Sequence, residues 1–130
     1  MNRRTLIAAV LAAGLPALAH AAEQKKKGGG ETYIQVGTLT ATTFAANGGR
    51  GVMTVDTGVD VPDAGLRSLC EQSLPRLRAA YVQVVQVYAA GLSPGTVPNA
   101  DYLASELQRE TDRVLKRKGA RLLLGAILVV

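Results

Sequence analysis

Tryptophan is absent from this 130-residue chain, and phenylalanine, histidine and cysteine occur once each. A single Cys70 excludes an intramolecular disulfide scaffold and any cysteine-cluster metal site. The only histidine, His20, falls in a segment expected to be removed or flanking, so no His-based triad is expected in the folded part. One Phe and four Tyr argue against an aromatic stacking platform for nucleic acid. The longest apolar run, Leu6 to Leu18, has about 13 residues, against the roughly 20 a spanning helix needs. What remains is a chain with 48% hydrophobic and 19% charged residues, too apolar for disorder and long enough for one small domain.

The first 21 residues read as an export signal. Arg3 and Arg4 form its charged start, Pro16 breaks the apolar run, and Ala19 and Ala21 are the small residues expected before a cleavage site. Asn2-Arg3-Arg4-Thr5-Leu6-Ile7 fits the twin-arginine pattern. Passage through the twin-arginine translocase is therefore expected, with a Sec signal that begins with two arginines as the alternative. The protein is expected in the periplasm, or tethered to the inner membrane if the signal stays attached. Residues 22–31 carry Lys25, Lys26, Lys27 and three glycines, a solvated linker. From Glu31 onward the net charge is only +1, so a basic stripe for nucleic acid is not expected.

Residues 32–130 form the expected domain. Thr32 to Phe44 is rich in Thr, Val, Ile and Tyr and reads as a strand, with Gly37 a bulge and with Ile34, Val36 and Phe44 on one face. Ala46-Asn47-Gly48-Gly49 is a hairpin turn. Gly51 to Val61 alternates, with Met53, Val55, Val59 and Val61 inward. Asp63 caps a helix running to about Ala90, which Pro75 kinks or splits. Asn99 caps a second helix, buried through Leu103, Leu107, Val114 and Leu115. Its last turn is expected to hold Arg113, Lys116, Arg117 and Lys118, with Gly119 ending it. Leu122 to Val130 reads as a central strand buried on both faces. The expected architecture is α+β in the order β-β-α-α-β, two helices on a small antiparallel or mixed sheet of three or four strands.

Several pieces in this order resemble the flagellar basal-body-associated FliL family. Tyr33-Ile34-Gln35-Val36 with Leu39-Thr40 is similar to that family's first strand, and Val52 to Val61 to its second. Leu74-Pro75-Arg76-Leu77-Arg78 matches its placement of a Pro and then an Arg in the first helix. Leu103-Ala104-Ser105-Glu106-Leu107 resembles its second helix. The resemblance spans roughly Tyr33 to Val130. It implies a stomatin-like (SPFH) periplasmic domain that associates with flagellar stator units near the inner membrane. Three features depart from the family: Ala79 where an Asp often follows the Arg, a last strand without the usual Phe-Thr element, and a cleavable-looking signal in place of an anchor.

Few residues offer chemistry. Cys70 sits on an apolar helix face and reads as core, with an intermolecular disulfide the alternative. Asp56, Asp60 and Asp63 read as solvated carboxylates and a cap rather than a metal site, and Gly48-Gly49-Arg50-Gly51 as a hairpin rather than a phosphate loop. No catalytic constellation or cofactor motif is present, so the expectation is a non-enzymatic protein. Its partner is expected to be another protein near the inner membrane, with self-association through a helix face or strand edge a further expectation. Arg76, Arg78, Arg113 and Arg117 are the candidate contact residues. The alternative is a small ligand-binding module with a cleft between helices and sheet, suggested by Tyr81, Tyr88 and Tyr102.

Overall fold

In the computed structural model, residues 30–130 are described. The signal residues Arg3, Arg4, Ala19 and Ala21, and the lysines of the linker, lie outside the described residues. One compact unit runs from Thr32 to Val130. Its elements are β1 (Tyr33–Phe44), β2 (Arg50–Asp60), α1 (Ala64–Gln72), α2 (Leu74–Gly91), α3 (Ala100–Leu115) and β3 (Arg121–Val129).

The three strands form one antiparallel sheet in the order β1-β2-β3. The β1–β2 hairpin closes at Asn47-Gly48, where Gly48 has φ +82° and the Asn47 side chain accepts from the Gly49 N–H at 2.9 Å. The register slips between Gln35 and Gly37, so Gly37 marks a bulge. That extra residue moves the inward face from Ile34 and Val36 to Leu39, Ala41 and Thr43, all buried. Phe44 therefore turns outward and is 48% exposed, contrary to its expected place beside Ile34 and Val36. A one-residue shift inverts every later side chain.

On β2 the expected inward set holds, with Met53, Val55 and Val59 fully buried, as is Val61 just past its end. A second irregularity lies between Val55 and Thr57 against β3. The strand expected at the centre is β3, and the structure corrects this: β2 is central and β3 is an edge, largely exposed beyond Leu122. A continuous apolar run has the same pattern whether a second neighbour covers it or not.

The helices follow from local signals. Asp63 caps α1, its carboxylate accepting from the Leu66 N–H at 2.7 Å. The helix stops at Ser73, and Pro75 then sits in the first turn of α2, where its missing N–H costs no hydrogen bond. The expected first helix is therefore two, and the domain has three helices rather than two. The fully buried stripe of α2 is Leu77, Tyr81, Val85 and Ala89. On α3 it is Leu103, Leu107, Thr111 and Leu115, with Asn99 accepting from the Tyr102 N–H. Both stripes step by four residues, the spacing that brings helix faces together. The end of α3 also differs from expectation. Lys116, at φ +56°, is the left-handed residue after Leu115, so Arg117 and Lys118 lie past the helix. Helix α2 packs on β1 and α3 on β3, and the core lies between this layer and the sheet.

Candidate functional site

The antiparallel pair α2 and α3 is fixed from beneath. Tyr81 and Thr111, both fully buried, share a hydrogen bond. The Thr111 hydroxyl also donates to the Leu107 carbonyl at 2.8 Å, so its one proton is used and Tyr81 is the donor between them. Burial holds the Tyr81 phenol in its neutral form, pushing its pKa up to about 12. Tyr81 is thus a core residue and lines no cleft.

Above this bond the two helices leave a groove on their outer side. At one end Arg76, Arg113 and Lys116 surround a hollow of about 430 Å³, floored by Ala79, Ala80 and Val114. Small side chains at Ala79 and Ala80 let the helix surface recede there. Gln83 lines both this hollow and a larger one of about 720 Å³ at the other end, with Val84, Val87, Tyr88 and Tyr102. The Tyr88 and Tyr102 rings lie 5.7 Å apart at 31°. The Tyr88 hydroxyl accepts from the Asn99 N–H at 2.7 Å, tying the loop between the helices to α2. Val87 is 72% exposed. One continuous surface therefore carries a cationic end and an aromatic, largely apolar end, which Glu106 also lines.

The candidate arginines divide. Arg76 and Arg113 come together at the cationic end. Arg76 Nη2 donates to Ser73 Oγ at 3.0 Å, and Arg113 Nε donates to Glu110 at 2.7 Å, an exposed pair one helical turn long. Arg78 points elsewhere: its Nη1 donates to the Val36 carbonyl in the β1 bulge. Arg117 lies 3.8 Å from Asp63, both side chains more than half exposed, a pair of little energetic weight. The residues that sequence reasoning missed are Gln83, Val84 and Val87. Their signal was a second apolar stripe on α2, Val84, Val87 and Tyr88, beside the buried one.

Cys70 is fully buried. Burial, helped by the nearby Glu71 carboxylate, raises its thiol pKa. A sulfur so placed cannot reach another chain, so the intermolecular disulfide is set aside. The three aspartates serve separate purposes: Asp56 accepts from Thr38, Asp60 from Thr32, and Asp63 caps α1. Among the described residues no three His, Cys, Asp or Glu side chains are grouped to hold a metal ion, and no helix is long and apolar enough to cross a membrane. The sequence matches no protein-family model and none of the curated proteins it was compared with.

Proposed function

We propose that this protein is an exported, non-enzymatic accessory protein of FliL-like type that holds another protein at an inner-membrane complex. The flagellar motor is the complex that the sequence resemblance implies. The observation that carries the reading is the outer groove of α2 and α3, with Arg76, Arg113 and Lys116 at one end and Val87, Tyr88 and Tyr102 at the other. Such a surface fits a partner segment with acidic side chains at one end and apolar anchors further along. Apolar anchors give residence and the cations give steering and orientation. The α+β order of the domain is compatible with the stomatin-like assignment. The twin-arginine signal supports a periplasmic setting.

The test places a photo-crosslinking residue at Gln83, in the middle of the groove, and a second at Thr40, on the sheet face away from the helices. In cells, Gln83 should give one dominant adduct with an envelope protein and Thr40 none. Reversing charge with Arg76→Glu and Lys116→Glu should weaken the Gln83 adduct several-fold, with the circular dichroism melt unchanged. Equal adducts from both positions, or none from Gln83, would overturn the reading. Terminal sequencing of the native protein from cell fractions tests the address: a start at Ala22 in the soluble periplasm means a cleaved signal.

A second reading is favoured by the paired Tyr88 and Tyr102. Their hollow of about 720 Å³ falls within the range of small-molecule sites. Under that reading an envelope amphiphile raises the melting temperature and Tyr102→Ala abolishes the rise.

A further inference from the structure

We infer that the free edge of β3 pairs with the same edge of a second copy of this chain, antiparallel about a twofold axis, giving a dimer with one six-stranded sheet.

Edge strands expose unpaired N–H and C=O groups, and proteins ordinarily blunt them with charge, proline, bulges or cover. This domain blunts parts of its edges. On β1 the bulge at Gly37 interrupts the edge, and Arg78 occupies the Val36 carbonyl. At the start of β3 the Gln108 side-chain amide stands in for a neighbouring strand, accepting from the Leu122 N–H and donating to the Ala120 carbonyl, both at 2.8 Å. Beyond Leu124, among the described residues, no side chain takes that role. Val130 exchanges both backbone hydrogen bonds with Val52, at 2.9 and 3.2 Å. The alternation of an antiparallel ladder then turns the backbone groups of Ile127 and Val129 to the open side.

The surroundings identify the occupant. From Leu122 to Val130 there is no charged side chain and no proline. The open apolar side chains near this edge, Val52, Val97, Leu128 and Val129, are 46% to 84% exposed. Leu128 and Val52 are open on the outer face, and Val129 and Val97 on the inner one, so apolar side chains flank the edge on both sides. On the inner side a cleft of about 830 Å³ lies between Ile127, Val129 and the loop Leu92–Pro98. A strand added here meets mostly apolar side chains on both faces, with Arg50 at the rim of the inner cleft. Strand β3 offers apolar side chains of its own from Leu122 onward, so the edge is complementary to its own copy, as an isologous contact requires. The twofold axis would stand normal to the sheet, with both helix layers on one side and both α2–α3 grooves facing the same way.

Sedimentation velocity of the purified protein over roughly a hundred-fold range of micromolar concentrations tests this. The unmodified protein should sediment as a dimer that dissociates on dilution. Val129→Pro removes an amide directed to the open edge and leaves the ladder to β2, so it should weaken the dimer at least 100-fold while keeping the monomer's circular dichroism. Leu128→Lys, on the outer face beside the axis, provides a second variant with the same expected shift should the proline variant fail to fold. A protein that stays monomeric throughout, or a dimer that survives Leu128→Lys or a folded Val129→Pro, overturns the inference. Neither result alters the crosslinks from Gln83, so the two proposals fail separately.

Discussion

Gly37 shows how one residue couples the sheet to the helix layer. Its φ is +120°, and a Cβ there would lie 2.4 Å from Arg78 Nη1. Gly37→Ala therefore meets two penalties. The backbone is held where side chains are strained, about 1–3 kcal/mol, and Arg78 is displaced from the Val36 carbonyl. We expect a loss of about 2–4 kcal/mol, read as a lower urea midpoint with an unchanged slope. Cys70 gives a second prediction. Its thiol is fully buried and its pKa is raised by burial, so a disulfide-exchange reagent should label it only at the rate of unfolding. Rapid labelling of the native protein would mean that α1 opens locally.

At the scale of elements, helix boundaries rest on local chemistry and tolerate change in proportion to the bonds involved. Asp63→Ala removes the acceptor for the Leu66 N–H and should cost about 1 kcal/mol. The exposed contact between Arg117 and Asp63 adds little to that. Pro75→Ala should change stability by no more than about 0.5 kcal/mol, because the proline stands in the first turn of α2 and interrupts no helical bond. Thermal or urea denaturation of the two variants checks the contrast. A large loss for Pro75→Ala would mean that the proline itself sets the angle between α1 and α2. The caps at Asp63 and Asn99, the hairpin at Asn47-Gly48 and the inward set of β2 were legible in the sequence because each depends on residues within a few positions. The outward turn of Phe44 was not, because the bulge at Gly37 had to be carried through the rest of the strand.

For the whole molecule, the buried Tyr81 links stability to pH. The folded state holds its phenol at about 12, against an ordinary value of 10.0, chiefly through burial, with Cys70 and Asp112 adding to the rise. The fold thus favours the neutral form. Its contribution is fully present below pH 10 and is lost as pH rises through 12. Across that window the unmodified protein should lose about 1.4 kcal/mol per pH unit relative to Tyr81→Phe. Denaturation of both at pH 9 and about pH 11 measures the difference. At neutral pH Tyr81→Phe should cost about 1 kcal/mol for the lost hydrogen bond, with Thr111 still bonded to Leu107.

The sequence by itself determined the α+β class, the order of strands and helices apart from the split of the first helix, the caps, and part of each buried stripe. Those follow from periodicity, backbone preferences and side chains that bond to nearby backbone. Val85, Ala89 and Thr111 took inward places that the sequence did not mark, and Val114 lines the outer hollow instead. Tertiary structure alone decided which strand is central, where each arginine goes and which tyrosines meet. Arg78 finds its carbonyl 42 residues away, and Arg76 meets Arg113 only because α2 and α3 run antiparallel. The apolar run of β3 is equally consistent with a buried strand and an open edge. The choice depends on how many strands flank it, a property of the assembled sheet rather than of any stretch of chain.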